Sequence, residues 1–212
     1  EDAGEAVEEA QARILKLEKE WSVTDESSQI YQANHSGESP VTLSDDTRDV
    51  VSFALEMAEK TGGALEPTIY PVLEAWGFTT DENRIPAPDE IQTLLEHVGY
   101  EQVSLSGNEL TLPEGVELDL GAVGKGYAGD AAAEVIKEQG VTSALLDLGG
   151  NIQAVGKRPD GTDWRIGIRN PFGDGQMGML LASDCAVVTS GSYERYFVGE
   201  DGKEYTHIID PE

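Results

Sequence analysis

The stretch that decides the fold is DLGAVGKGYAGDAAAEVIKEQG, residues 119–140. It places four glycines and a lysine within nine residues, Gly121 to Gly129, and then continues as a helical pattern. Free N–H groups at the start of a helix attract anions, and Lys125 adds a positive charge beside them. The stretch therefore favours a glycine-rich loop that opens a helix and could hold a phosphate. The plainer interpretation is that the glycines only allow the first turn of the helix to pack closely against a strand.

Two known phosphate-binding motifs partly match this stretch. A P-loop needs G-x-x-x-x-G-K-[ST], but only two residues separate the glycines before Lys125, and a glycine follows it. GKGYAG does satisfy G-x-G-x-x-G, and Asp147 lies 18 residues after Gly129, near where a ribose-binding acid would sit. A Rossmann domain needs further alternating strands and helices, whereas short strands and turns follow Asp147. A P-loop is excluded, and a dinucleotide-binding oxidoreductase stays open as the less favoured alternative.

The hydrophobic pattern predicts helices in the first half of the chain and strands in the second. Residues 3–20 repeat apolar positions at helical spacing, with Val7 on the apolar face, and Ser44 is a good helix start. After residue 140 the short strand candidates include SALLDLGG, IQAVGK, WRIGIR, GMLLA, CAVVTS, ERYFVG and EYTHIID. Neither a repeat nor a linker is evident. The sequence therefore predicts one α+β domain over residues 1–212.

Composition excludes several classes of protein. Lys and Arg number 14 against 41 Asp and Glu, a formal net charge of −27, which argues against binding nucleic acid or an anionic membrane surface. Cys185 is the only cysteine, so an internal disulfide and a cysteine metal cluster are excluded. Its apolar neighbours predict a buried strand thiol. No stretch approaches the roughly 20 apolar residues of a membrane span.

Several motifs in order resemble one family. They are EWSVTDESSQI, TGGALEPTIYPVLEAWGF, LDLGAVGKGYAGDAA, ALLDLGGNIQAVG, WRIGIRNP, VVTSGSYERYF and YTHIIDP. Together they resemble the ApbE family, and the likeness covers nearly the whole chain. The resemblance implies an FAD:protein FMN transferase, an Mg²⁺-dependent enzyme that cleaves FAD and attaches FMN by a phosphoester bond to a threonine of an acceptor flavoprotein. The alternatives within the family are binding of FAD or its hydrolysis without transfer.

The resemblance also assigns roles to particular residues. It makes Asp119 and Lys125 contacts of the flavin nucleotide, and the carbonyl of Ala122 a magnesium ligand. His207 is implied as the acid–base residue. Four further positions are implied to line the flavin site: Ala64, Leu65, Glu66 and Ile209. Magnesium is expected to neutralise charge on the pyrophosphate.

The chain departs from the family pattern at three side chains and at both ends. Leu65 and Glu66 stand where the family has Phe and Asp, and Thr24 replaces an aromatic residue that helps to hold the flavin ring. We expect the chain to be truncated at both ends, so that the side-chain magnesium ligands are missing after Glu212. The family implies an extracytoplasmic enzyme with an N-terminal lipid anchor and a redox-complex subunit as acceptor. Arg195 most simply belongs to a strand with one polar face, and a role in holding a phosphate is the less favoured interpretation.

Overall fold

The computed structural model describes residues 3–80, 82–192 and 195–211. The α-helices in those residues are α1 (Ala3–Trp21), α2 (Gln29–Asn34), α3 (Asp45–Thr61), α4 (Tyr70–Ala75), α5 (Pro88–Leu95) and α6 (Gly121–Glu138). The strands are β1 (Val41–Thr42), β2 (Ser104–Ser106), β3 (Glu109–Thr111), β4 (Ala144–Leu148), β5 (Asn151–Val155), β6 (Trp164–Arg169), β7 (Gln176–Ala182), β8 (Ala186–Val187), β9 (Tyr196–Val198) and β10 (Glu204–Thr206). Helices dominate before residue 100 and strands after residue 140, which confirms the predicted α+β class.

Helix α3 shows why the sequence-based helix boundaries were accurate. Ser44 caps its start, since the serine Oγ accepts a hydrogen bond from the N–H of Thr47 at 3.2 Å. Asp45 and Asp46 place negative charge in the first turn, where the helix dipole favours it. Gly62 ends the helix in a left-handed conformation with φ of 64°, which glycine adopts without steric cost.

Three local predictions were wrong. Val7 is 56% exposed, because the buried face of α1 runs through Ala6, Ala10 and Leu17 instead. Cys185 is exposed, because it lies in the bend before β8 and not within a strand. The polar, turn-rich composition of residues 22–40 predicts a loop, but the segment contains α2, whose six residues are too few to show a periodicity.

The chain divides into two compact units, with boundaries within α1, within α6 and after Gly191. The first unit comprises Glu1–Leu17 and Lys125–Gly191. It contains the antiparallel sheet β4–β5–β8 and the hairpin β6–β7. Ala10, Ala132 and Ile136 form a buried cluster in this unit. The division does not test the prediction of a single domain over residues 1–212, which stays a prediction.

The second unit comprises Glu18–Gly124 and Ser192–Glu212. It contains the antiparallel sheet β1–β3–β2, the hairpin β9–β10 and an aromatic cluster. The cluster joins Trp76 and Phe78 to Phe197 and Tyr205 of the hairpin, with ring centroids 5.0–6.3 Å apart. Such aromatic pairs stabilise a fold beyond the area that they bury. The cluster therefore fixes the hairpin against the segment that follows α4.

No helix in residues 3–80, 82–192 or 195–211 combines the length and the apolar character that crossing a bilayer requires.

Candidate functional site

The glycine cluster lies inside helix α6 and not in a loop before it. The helix begins at Gly121 and runs through all four glycines, so the predicted glycine-rich loop is wrong. A Cβ on Gly124 would meet the Trp21 ring at 3.5 Å, and one on Gly129 would meet Leu148 Cδ1 at 3.5 Å. The glycines at these two positions therefore allow close packing of the helix, as the plainer interpretation proposed.

Asp119 lies in the extended segment immediately before α6. Its N–H donates to the carbonyl of Pro67 at 2.8 Å, and its Oδ1 accepts from the N–H of Gly121 at 3.1 Å. Burial raises the pKa of the Asp119 carboxyl, and the Gly121 N–H and the charge of Arg195 both oppose that rise. A carboxyl whose pKa is perturbed by burial and by one nearby cation is a candidate for ligand binding.

The segment before Asp119 is positioned by a residue that sequence reasoning missed. Asn34 donates from Nδ2 to the carbonyl of Leu118 at 3.0 Å and accepts at Oδ1 from the Leu118 N–H at 2.8 Å. The amide thus takes the place of a neighbouring strand, because the backbone before Asp119 forms only an isolated parallel bridge, between Ile69 and Glu117, within the described residues. Asn34 holds the backbone directly before the predicted nucleotide contact.

Glu66 directs its carboxylate into the protein. Its Oε1 accepts from the N–H and the hydroxyl of Thr68 at 2.9 and 2.7 Å, and its Oε2 accepts from the N–H of Tyr100 at 3.1 Å. The fully buried Thr68 hydroxyl in turn accepts from the N–H of Gly99 at 2.7 Å. Since a carboxylate offers about four lone-pair sites, these three bonds leave about one for a ligand. Glu66 therefore clamps its own turn to the segment at residue 100.

His207 follows directly after β10 and is held through the backbone of Arg195. Strand alternation does not relate His207 to Ile209, because the strand ends at Thr206. The His207 N–H donates to the Arg195 carbonyl at 3.3 Å, and the ring Nδ1 lies 3.2 Å from the same oxygen. A carbonyl only accepts, so we assign the hydrogen of the neutral ring to Nδ1. Nε2 then keeps its lone pair, as a general base requires.

The remaining predicted contacts differ in exposure and in the unit to which they belong. Ala64 is exposed, while Leu65 and Ile209 are partly buried. These residues, together with Asp119, Glu66 and His207, belong to the second unit. Lys125 is exposed on α6 and belongs to the first unit, where its carbonyl accepts from Nδ2 of Asn151 at 3.0 Å. Thr24, the departure in the flavin-ring motif, is exposed and bonds to Ser22.

Ala122, the residue predicted to bind magnesium, offers the ion only its carbonyl. Ala122 is the second residue of α6, where a carbonyl accepts a hydrogen bond from the next turn of the helix. Within the described residues, there is no group of three or more His, Cys, Asp or Glu side chains that could hold a metal. Mg²⁺ requires near-octahedral oxygen coordination, which one carbonyl does not supply.

This mixed α+β architecture, with a glycine-bearing helix between its helical and strand-rich parts, is that of flavinyl transferases. The ApbE family model matches residues 2–212, and the chain belongs to that family. A crystal structure of the ApbE protein of Thermotoga maritima has a TM-score of 0.93 and 32% identity, over 98% of this chain and 68% of that one. The apo form of the Pseudomonas stutzeri flavinyl transferase ApbE has a TM-score of 0.88 and 29% identity, over 100% and 67%.

Curated relatives are FAD:protein FMN transferases. That of Treponema pallidum is 35% identical over 225 residues, which are 97% of this chain and 62% of the relative. The chain thus spans about three fifths of the length of this relative. The family prediction from the motifs is confirmed.

Proposed function

We propose that the protein is an FAD:protein FMN transferase, which cleaves FAD and attaches FMN to a threonine hydroxyl of an acceptor flavoprotein. Family membership and the names of its relatives support this proposal. The geometric observation that carries it is the bond between His207 Nδ1 and the Arg195 carbonyl, 3.2 Å, which leaves Nε2 free to take a proton.

The proposed reaction is a displacement at the FMN-side phosphorus of FAD. The threonine oxygen forms a bond to that phosphorus while the bond to the bridging oxygen of the pyrophosphate breaks, and AMP leaves with that oxygen. The hydroxyl proton passes to Nε2 of His207. The Asp119 carboxylate accepts a hydrogen bond from the nucleotide, and residues 64–65 provide the flavin-side surface. Glu66 acts by holding that turn in place.

The proposal includes magnesium, and the described residues offer it only the Ala122 carbonyl. Its remaining ligands are therefore to be sought outside those residues, and none of the steps above depends on the ion. We also propose an extracytoplasmic location with an N-terminal lipid anchor and a redox-complex subunit as acceptor. The family resemblance supports these three points.

One experiment separates transfer from the alternatives. The intact protein is incubated with FAD, Mg²⁺ and an acceptor bearing the target threonine, with a matched acceptor carrying alanine there as the control. Covalent flavin fluorescence on the threonine acceptor alone supports transfer. Release of AMP and FMN without labelling indicates hydrolysis, and FAD binding without either product indicates a binding protein. Hydride transfer to or from a nicotinamide cofactor would favour the oxidoreductase and refute the proposal.

A further inference from the structure

The extended backbone that leads into Asp119 is held differently on its two sides. Along an extended chain, the hydrogen-bonding groups of successive residues point to opposite sides. On one side the Asp119 N–H donates to the carbonyl of Pro67 at 2.8 Å. On the other side Leu118 presents its N–H and its carbonyl to the side chain of Asn34. The position of the backbone on that side therefore depends on one amide.

The Asn34 amide reproduces the bonding of a paired strand residue. Two opposite residues of an antiparallel pair exchange two N–H···O bonds. Asn34 makes the same exchange with Leu118, since Nδ2 donates at 3.0 Å and Oδ1 accepts at 2.8 Å. A flipped amide would place donor against donor and acceptor against acceptor, so its orientation is fixed. Leu118 is fully buried, and a side chain without an amide would leave these two backbone groups unpaired.

Helix α2 holds Asn34 in place for this contact. Asn34 is the last residue of the helix. The helix start is capped by the fully buried Ser28, whose Oγ accepts from the N–H of Tyr31 at 2.9 Å. Ile30 and Ala33 are buried and anchor the helix. The amide is therefore positioned before any ligand binds, and a pre-organised contact loses little entropy on binding.

The Asp119 carboxylate follows the held residue directly and is closely surrounded. Its Oδ1 accepts from the N–H of Gly121 at 3.1 Å, and a Cβ on Gly121 would lie 3.0 Å from Oδ2. A shift of the backbone at Leu118 would therefore change the direction in which the remaining lone pairs of the carboxylate point. Hydrogen bonds weaken steeply when their angles depart from the preferred range, so such a shift would weaken a bond to a ligand.

We propose that Asn34 is a positioning residue for FAD: it holds the backbone of Leu118 so that the Asp119 carboxylate is directed at the nucleotide. The inference rests on the proposed transferase function and adds a residue that acts through another. The plainer alternative is that Asn34 only stabilises the fold. A positioning residue changes FAD affinity through Asp119, whereas a structural residue changes the free energy of unfolding and leaves the affinity of the folded protein as it was.

The test is a double-mutant cycle on the intact protein, with FAD affinity measured by calorimetry. Asn34→Leu, which is similar in size, loses both bonds and should weaken FAD binding by about tenfold, the worth of one hydrogen bond to a charged group. In the Asp119→Asn background the same substitution should weaken FAD binding by about twofold or less, because the contact through which it acts is already lost. Asn34→Ala leaves room for water to bond the freed groups and is the second variant if Asn34→Leu does not fold.

Asn108 provides a matched control in the same unit. Like Asn34 it is partly buried and bonds a distant backbone carbonyl, since its Nδ2 donates to the carbonyl of Leu43 at 3.0 Å. Asn108→Ala should lower Tm, as Asn34→Ala should, but leave FAD affinity unchanged. Thermal melting of the same preparations gives the comparison.

Four results would overturn the inference. They are wild-type FAD affinity in both Asn34 variants, wild-type affinity in Asp119→Asn, a loss of affinity in Asn108→Ala, and equal losses for Asn34→Leu in the two backgrounds. Equal losses would show that Asn34 acts independently of Asp119. The proposed function survives each of these results if the wild type transfers FMN. A wild type that binds FAD through Asn34 and Asp119 without transfer refutes the transferase and keeps the positioning role, and one that does not bind FAD refutes both.

Discussion

Replacing Asp119 tests whether its carboxylate is held for a ligand or for the fold. Asp119→Ala removes the acceptor that bonds the Gly121 N–H at 3.1 Å, whereas Asp119→Asn keeps an oxygen there and removes only the charge. Loss of such a helix-start acceptor costs about 1 kcal/mol. For a domain of about 150–250 residues this lowers Tm by roughly 2–4 °C. The asparagine variant should escape that loss.

The pH dependence of stability should distinguish the two variants further. Burial raises the pKa of the Asp119 carboxyl in the folded protein above its value of 3.8 in the unfolded chain. The folded state therefore favours the protonated form, and ionisation costs stability as pH rises through the folded pKa. Below the unfolded pKa this cost is absent. Relative to the wild type, Asp119→Asn should gain Tm between pH 3 and pH 7.

FAD affinity should fall in both variants, although only Asp119→Ala should lose stability. A hydrogen bond to a charged group is worth about 1.5–3 kcal/mol, so both Asp119 variants should bind FAD about 10-fold to 150-fold more weakly. Calorimetry with FAD and thermal melting from pH 3 to pH 7 on the same preparations provide both measurements. Unchanged FAD affinity would make Asp119 a structural cap only. An asparagine variant that loses Tm as pH rises would refute the argument from burial.

Four further predictions concern the same unit and the metal. His207→Ala should keep FAD affinity and slow FMN transfer by about 10²–10⁴-fold; near-normal flavinylation of the acceptor would return this histidine to a structural role. Glu66→Ala should lower the free energy of unfolding in urea by about 2 kcal/mol or more, because it leaves buried donors unpaired. A smaller loss contradicts the role of Glu66 as a clamp. The free energy of unfolding of Glu66→Gln, which keeps one oxygen, should lie between those of the wild type and Glu66→Ala. Gly77→Ala should destabilise the protein more than Gly107→Ala. Both glycines have positive φ, but only a Cβ on Gly77 would collide with the backbone, at Glu82. Equal melting temperatures of the two variants would show that this backbone can shift to admit the Cβ. Residues 1–212 should show little or no Mg²⁺-dependent FAD cleavage, because the described residues offer the ion only the Ala122 carbonyl; AMP release that requires Mg²⁺ would place the metal ligands within these residues.

The fold was predictable where the determinants are close in sequence. The cap of α3 needs only Ser44 and the next turn, and the alternation in WRIGIR indicates β6 within six residues. Pattern reasoning failed where short elements depend on distant partners. Helix α2 has six residues, and the role of its Asn34 arises from bonds to Leu118, 84 positions later. A lone asparagine in a polar segment gives no local signal of such a bond.

The glycine stretch shows how one pattern can support two physical explanations. Glycines spaced 121, 124, 126 and 129 are equally compatible with a loop around phosphate and with a helix that neighbouring groups approach closely. What decides between them is the set of neighbours: Trp21 precedes Gly124 by 103 residues, and Leu148 follows Gly129 by 19. A motif defined only by the spacing of its glycines contains no information about either neighbour.

The candidate site depends on residues that a motif identifies and on contacts between residues that are distant in the sequence. Only the first could be predicted. Asp119 and His207 were identified because whole motifs resembled a family, so their positions came with the resemblance. The contacts that give them their chemistry did not: the His207 tautomer depends on the carbonyl of Arg195, twelve residues earlier, across a turn between two strands. A backbone carbonyl exists at every position, so its identity as a partner is set by the hairpin register alone. A substitution in β9 or β10 that shifts this register should therefore affect proton transfer without replacing any of the predicted site residues.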